Sequence, residues 1–460
     1  MREYLGIALR EVSAPPLDPD FLPLSVWMEA YLAGAARPVT VAAEREGGRV
    51  VRLSAALRGE GFAAANGVFL ERLVKCLLWS AGGWRIWLCG VTEEEAAALR
   101  AAYAPGGARQ FDAATMERIY GRPLEVRRCE AAELPPARET ALPLGGHTEG
   151  CRIGFDAGGS DRKVAAVQDG RVVYAAETVW HPKEAADPRY HYEGVVAALR
   201  EAAARLPRVD AIGISSAGVI VAGEPRVSSL FLSVDGARQR ETRSLYLRAA
   251  RAIGDVPLAV ANDGDVAALA GAMALGRGDV LGLAMGTSQA AGYVDGHFGL
   301  SGRLHELAFV PVDLSEAAPT DPWSGDRGVG AQYFSQEGVI RLARAAGLPL
   351  TDGKPPAEQL MEVQILAAEG HTGAERVFRS LGVYLAHALP LYDRLCPMGH
   401  VLLLGRVCSG TGGAWLLESC RAALERDHPA LGARLRLHLP EEHQRRVGQA
   451  VAAASLPATK

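Results

Sequence analysis

Apolar residues recur along this chain with two different periods, and each change of period marks a change of predicted element. Residues 39–43 and 49–57 are β-prone runs separated by the turn Glu46-Gly47-Gly48, which predicts a hairpin. From 68 to 79 the positions Val68, Leu70, Leu73 and Leu77 keep helical spacing, and the segment WRIWLC (84–89) reads as a buried strand. Thr92, followed by EEEAAALRAAY, is the N-cap signature of an acid-first helix. A short helix over 112–119 and a strand over 124–128 complete an N-terminal order ββαβααβ, compatible with a ribonuclease-H-like core.

A stretch rich in Pro, Gly, Glu and Thr (131–150) marks a linker. Beyond it, strands at 152–155, 163–168 and 171–175 predict a meander, followed by a helix at 192–206 and strands at 210–215 and 258–261. From Asp263 the pattern begins again. A helix runs to 275, then come a strand at 280–284, a hairpin around 295–299, helices from Gln336 and Ala374, a strand at 400–404 and a helix at 414–425. Such repetition predicts two related lobes. The expected division is an N-terminal α/β accessory domain (1–148), a first lobe (149–262) and a second lobe (263–460).

Composition narrows the function classes. Of 460 residues, 49% are hydrophobic and 22% charged, enough apolar material for more than one core and too much for disorder. The net charge of -4 comes without any Lys/Arg run longer than two, which argues against a nucleic-acid partner. The least polar uncharged stretch, 280–294, is interrupted by Gly282, Gly286, Gly292, Thr287, Ser288 and Gln289 and would cross a bilayer badly. The opening MREYLGIALREVSAPP lacks the apolar centre of a signal peptide, so a cytoplasmic location is the expectation. Seven cysteines without a CxxC pair fit neither a disulfide framework nor a zinc knuckle.

Three glycine loops and one acidic turn carry candidate chemistry. In GFDAGGSDRK (154–163), Asp156, Gly158, Gly159 and Ser160 sit at a strand end that turns straight into another strand. Such a turn lets a polyphosphate approach the backbone, because glycine has no Cβ and successive N–H groups can face the anion. Asp156 is then a candidate for Mg²⁺, directly or through water, and Lys163 for a point charge. A plain Gly-rich hairpin turn explains the same residues. In the loop read over 284–299, Gly286, Thr287 and Ser288 are candidate phosphate donors, and in LLLGRVCSGTGG (402–413) Gly405 and Gly410 leave room for an adenine or ribose. Between them, Asn262 and Asp263 end a strand and open a helix. Asp263 is the candidate base for a hydroxyl proton, with Asn262 orienting the substrate and Asp265 competing. Helix N-capping explains either aspartate equally well.

This set of residues, in this order, resembles the ROK family of sugar kinases and repressors within the actin-like ATPase superfamily, over roughly 151–430. DAGGS is similar to the family's DxGGT phosphate loop, and ANDGDVAALAGA to its ENDANAAALGE segment, whose catalytic Asp falls on Asp263. GTSQAAG resembles the second phosphate loop, LLLGRVCSGTGG the adenosine loop, and SSAGVI (215–220) a sugar-domain turn containing Ser216 and Gly218. The departures are equally specific. LHELAF (304–309) keeps the acidic residue of a GEIGH segment as Glu306 but has Phe309 in place of its His. PWSGDRGV (322–329) has Pro322, Ser324 and Val329 where a zinc motif has cysteines, although Gly325 and Gly328 remain. VSSLFL (227–232) lacks the Asn of the sugar loop. Zinc is therefore not expected, and hexose specificity does not carry over.

The resemblance implies two actin-like lobes with a cleft between them, plus the N-terminal α/β domain. It implies an ATP- and Mg²⁺-dependent kinase acting on a sugar or polyol, with Asp263 as base and Asn262, Glu306, Ser216 and Gly218 toward the substrate. A homodimer follows by analogy alone. The alternatives are a non-catalytic sugar sensor or an actin-like ATPase with a non-sugar target. Repressors of the family carry an N-terminal helix-turn-helix, and the N-terminal region here shows no basic recognition helix. His181 and His191, in the loop 180–192, are the only neighbouring histidines and a weak metal candidate. Trp180, Tyr190, Tyr192 and Trp323 are candidates for stacking on a sugar ring, or for packing. Arg327 is a candidate phosphate contact or a partner of Asp326.

Overall fold

The computed structural model describes residues 2–139, 144–440 and 445–459. The chain opens with two short paired strands, β1 (Glu3–Tyr4) and β2 (Ile7–Ala8), and helix α1 (Leu24–Ala33). The sequence reading passes over α1 because LSVWMEAYLA is apolar almost all round and Pro23 offers no capping side chain, so neither a stripe nor a cap marks it. Strands β3 (Arg37–Glu44) and β4 (Val50–Leu57) form the expected antiparallel hairpin. Then follow α2 (Ala63–Ala81), β5 (Arg85–Cys89), α3 (Glu93–Tyr103), α4 (Gln110–Tyr120) and β6 (Glu125–Cys129). Helix α3 begins in a reciprocal capping box between Thr92 and Glu95.

The order in this sheet is β4-β3-β5-β6, with β3 antiparallel to β5. That pairing corrects the ribonuclease-H-like reading of the N-terminal region.

Strands β7 (Cys151–Ala157), β8 (Asp161–Gln168) and β9 (Arg171–Val179) form the predicted antiparallel meander. After α5 (Pro188–Ala203), strand β10 (Ala211–Ser216) lies parallel to β7. A small hairpin, β11 (Val219–Val221) and β12 (Glu224–Val227), and helices α6 (Gln239–Arg243) and α7 (Leu245–Arg251) lead to β13 (Leu258–Asn262), parallel to β10. The sheet order is β13-β10-β7-β8-β9. Ile153, Phe155, Ile212 and Ile214 from the sheet, Val195 and Leu199 from α5 and Leu245 from α7 share one core.

Helix α8 (Asp263–Leu275) leads into β14 (Val280–Met285) and β15 (Gln289–Val294). They are followed by α9 (Gln336–Ala345), α10 (Pro356–Ala368), α11 (Thr372–Leu395), β16 (His400–Leu404), α12 (Gly410–Asp427), α13 (Pro429–Arg434), β17 (Arg436–His438) and α14 (Arg445–Ala454). This sheet runs β15-β14-β16-β17. Its order matches that of β8-β7-β10-β13, with no counterpart of β9 among the described residues, so the repetition read from the sequence is seen in the strand order. The expected hairpin at 295–299 is a lone turn in which Asp295 Oδ1 accepts the N–H groups of His297 (2.8 Å) and Gly299 (2.7 Å). The hairpin is made earlier, by β14 and β15.

By packing, the chain forms two compact units. Unit 1 comprises Met1–Glu139, Leu283–Ala290 and His305–Leu439; unit 2 comprises Thr140–Gly282, Ala291–Leu304 and Pro440–Lys460. Packing therefore joins the N-terminal region to the second half, where the sequence reading drew contiguous segments. In unit 2, α14 lies on the sheet. A Cβ on Gly154 or Gly213 would meet the carbonyl oxygens of Ala450 or Ala453 at 1.7 and 1.6 Å, so only glycine admits this approach. Among the described residues no helix is long and apolar enough to cross a membrane.

Candidate functional site

The β7–β8 turn carries the first glycine loop. Asp156 ends β7 with 4% of its surface exposed, and its Oδ1 accepts a hydrogen bond from Ser215 Oγ on the neighbouring β10 (2.6 Å). Burial raises its pKa, against the opposing influence of that hydrogen bond and of Lys163. Gly158 and Gly159 make the turn, and Ser160 Oγ lies 3.2 Å from Asp161 Oδ2. Lys163, paired in register with Asp156, places its Nζ 2.5 Å from Asp161 Oδ1. Trp180 is buried, and its indole N–H donates to Gly158 O (2.8 Å), so it anchors the turn rather than offering a stacking face. His191 is equally buried against the carbonyls of Pro182 and Leu230, while His181 is exposed. The histidine pair thus gives no metal site.

The acidic turn settles which residue caps α8. Asn262 Oδ1 accepts from Gly264 N (2.7 Å) and Asp265 N (3.4 Å), while its Nδ2 donates to Gly218 O (2.8 Å). Asn262 is therefore the cap and the anchor of the Gly218 turn, with both polar side-chain atoms engaged within the protein. Asp265 is buried and accepts Tyr293 N (3.1 Å), a structural role.

Asp263 is half-buried, receives the Gly264 N–H at 3.0 Å and has no ion-pair partner among the described residues. Burial, then the charge of Asp156, pushes its pKa up to about 7. Ser216 is fully buried, its hydroxyl 2.6 Å from that of Tyr246, so it stands inside the wall rather than on a binding surface. Ser215 opens the SSAGVI segment but is not singled out in it, and Tyr246 lies in no motif; register brings Ser215 opposite Asp156.

In unit 1 the second glycine loop is the tight β14–β15 turn, the structural counterpart of the first. Half of the longer loop read over 284–299 is in fact strand, the end of β14 and all of β15. Gly286 N donates to Ser288 O (3.0 Å), and Gly286 O accepts Gln336 N at the start of α9 (2.8 Å). Thr287 and Ser288 are exposed at its tip. Gly405 follows β16 with φ 89°, and a Cβ there would lie 2.3 Å from Met285 O at the end of β14. Glycine at 405 thus lets the third loop close on the strand that carries the second. Gly410 opens α12 at φ 62° with nothing near its missing Cβ.

Glu306 is half-buried and donates its N–H to Trp79 O (3.0 Å). Phe309 packs on Trp79 (ring centroids 4.3 Å apart) and Phe111 (5.4 Å), an aromatic cluster shared with the N-terminal region. The loop holding Pro322, Ser324 and Val329 is closed without a metal-ligating cluster among the described residues. Asp321 accepts Ser324 Oγ (2.6 Å), and Arg327 donates to Glu316 O rather than pairing with Asp326. Trp323 is exposed. A cavity of about 820 Å³ lies between α2, α3 and residues 313–315 and 325–327; Arg327, a candidate phosphate contact, lines it, whereas Asp263 and the residues of the three glycine loops do not.

No protein-family model matches the chain, and no curated protein matches it in sequence. Solved structures do match. A ROK hexokinase from Thermus thermophilus has a TM-score of 0.52 at 20% identity, the match covering 67% of this chain and 97% of that one. A ROK family transcriptional regulator, a homologue of the E. coli MLC protein, has a TM-score of 0.52 at 19% identity, covering 66% of this chain and 78% of that one. Over about two thirds of its length, this chain has the fold of these ROK proteins.

Proposed function

We propose that this chain, with its ROK fold, is an ATP-dependent kinase that phosphorylates a hydroxyl of a sugar or related polyol. The observation that carries the reading is Asp263. It opens a helix that another residue caps, lacks an ion-pair partner among the described residues, and has its pKa pushed up to about 7. A carboxylate at that pKa can accept a proton near neutrality, which general-base catalysis requires.

In this reading Asp263 takes the acceptor hydroxyl's proton as the oxygen bonds to the terminal phosphorus of ATP and ADP leaves. In unit 2 the turn at Gly158–Ser160 is the proposed phosphate-binding element, with Lys163 adding charge; in unit 1 the turn at Gly286–Ser288 is a proposed phosphate donor, and Gly405 and Gly410 leave room for an adenosine. Such transfer depends on positioning and charge stabilisation. The residues fit Mg²⁺ in one respect: Asp156 is a buried carboxylate whose charge disfavours ionisation of Asp263, and a divalent cation would relieve that repulsion. Asp156 would hold it, directly or through water, with phosphate oxygens completing the set. When bound, Mg²⁺ supplies neutralisation of phosphate charge. Glu306 is the proposed acceptor contact; Asn262 and Ser216 support the site from behind.

A second reading, a sugar sensor without catalysis, is favoured by Phe309 in place of the expected His and by the likeness to a ROK regulator. A coupled ADP-release screen across hexoses, amino sugars and polyols separates the two. Acceptor-dependent ADP release is expected; its absence with every acceptor, alongside measurable sugar binding, would favour the sensor.

A further inference from the structure

Helix α2 of the N-terminal region grips two loops of the second half through one face. Arg72 reaches Asp326 with both guanidinium nitrogens, at 2.8 and 3.2 Å, and Lys75 Nζ lies 3.2 Å from the same carboxylate. Arg109 adds a third contact at 2.8 Å. Glu71 and Asp112 balance the cluster: Glu71 pairs with Arg72 and Arg109, and Asp112 with Lys75 at 2.8 Å. Three cations thus meet three carboxylates, with Lys75 0%, Asp112 1% and Asp326 4% exposed. Burial alone would raise the pKa of Asp326; Arg72, Lys75 and Arg109 together hold it well below the usual carboxylate range.

At its C-terminal end, a little over one turn beyond Lys75, α2 offers the carbonyls of Trp79 and Ser80. They accept the N–H groups of Glu306 (3.0 Å) and His305 (2.9 Å). His305 is buried with φ 50°, a conformation that a non-glycine residue keeps only when its surroundings impose it. The Trp79 ring packs on Phe309, three residues beyond Glu306. The two gripped loops are also joined to each other, by Val312 N to Gly328 O (2.7 Å) and Gly330 N to Val310 O (2.9 Å). Backbone hydrogen bonds thus connect the loop of Asp326 to the segment that follows Glu306.

We propose that α2 is the positioning element of the acceptor site: the clamp of Arg72, Lys75 and Arg109 on Asp326, with the carbonyls of Trp79 and Ser80, fixes where Glu306 stands. This rests on the reading of Glu306 as the acceptor contact. The N-terminal region is then an integral part of the acceptor site, and Arg72 and Lys75 are positioning residues that touch no substrate.

The test is Arg72→Lys in the full chain, which keeps the charge and removes the two-pronged contact; Arg72→Met is the harsher companion. Two readouts are needed: amide hydrogen exchange at His305 and Glu306, and the KM values for acceptor and for ATP. Exchange at those two amides should accelerate, and the acceptor KM should rise about tenfold with the ATP KM nearly unchanged, the scale expected of a displaced contact group. Unchanged exchange in both variants, or KM values for ATP and acceptor rising together, would overturn the proposal. If the parental protein phosphorylates no acceptor, the kinase reading has failed, and the exchange result alone decides whether α2 holds the loop.

Discussion

Asp263 and Asp326 look alike in sequence. Each is an aspartate in a short glycine-flanked turn, NDGD in one case and SGDRG in the other. Folding gives them opposite surroundings. After burial, the largest charge influence on Asp263 is a second carboxylate, Asp156, and its pKa is pushed up to about 7. Asp326 is met by Arg72, Lys75 and Arg109, and its pKa falls far below the ordinary value despite burial. One carboxylate is left with a charge it can exchange and the other is locked into a neutral cluster. That difference separates a candidate for chemistry from a piece of architecture.

The comparison breaks most visibly at Asp263. Asp263→Asn keeps the shape of the turn and the Asn262 cap but removes the base. Acceptor-dependent ADP release should fall by about 10³-fold or more, within the usual range for losing a general base, while nucleotide affinity measured by calorimetry stays close to the parental value. A variant that still turned over its acceptor at the parental rate would remove Asp263 from the mechanism.

The next effect belongs to Asp326. Asp326→Ala leaves Arg72, Lys75 and Arg109 with a surplus of buried positive charge, and breaking a buried ion cluster from one side costs about 3–5 kcal/mol. Denaturant unfolding should show that loss. Asp326→Asn, which retains hydrogen-bonding oxygen, should lose less. If both variants were as stable as the parent, the cluster would be ornamental and the contrast with Asp263 would lose its meaning.

How far the sequence reveals this contrast follows from distance along the chain. The glycine turns, the strand meander after residue 150 and the Asn-Asp turn at a helix start are local patterns, and the fold keeps them. The cap was legible as a possibility; that Asn262 rather than Asp263 performs it depends on the Gly218 carbonyl lying within 2.8 Å, a contact made by strand packing. Ser215 faces Asp156 because β10 lies parallel to β7 in a particular register, which no local pattern specifies. The Asp326 cluster was invisible for the same reason. Arg72 and Lys75 read as polar positions on an amphipathic helix, and only tertiary packing turns them inward. Helix α1 was missed because its apolar residues run almost all round it and leave no stripe to mark it.

The smallest expected effect is also the sharpest probe of the pair, because it needs no substrate. A carboxyl group with a pKa of about 7 in the folded state, against about 3.9 when unfolded, keeps a proton between those values that the unfolded chain has released. Stability contributed by that retained proton is therefore lost as pH rises from about 4 to about 7, and changes no further above it. Asp263→Asn cannot titrate, so its melting temperature relative to the parent should climb over that window and then level off, by a few degrees in all, the scale of a modest change in stability. Asp326 has the opposite sign: its depressed pKa gives stability that is complete above about 3.9 and lost only in stronger acid, so Asp326→Asn should differ from the parent by a constant amount between pH 5 and 8. Melting curves of the three proteins across that range thus read the two carboxylates independently. A flat difference for Asp263→Asn would mean that its carboxylate is already ionised well below neutrality and is not held at the pKa a base needs.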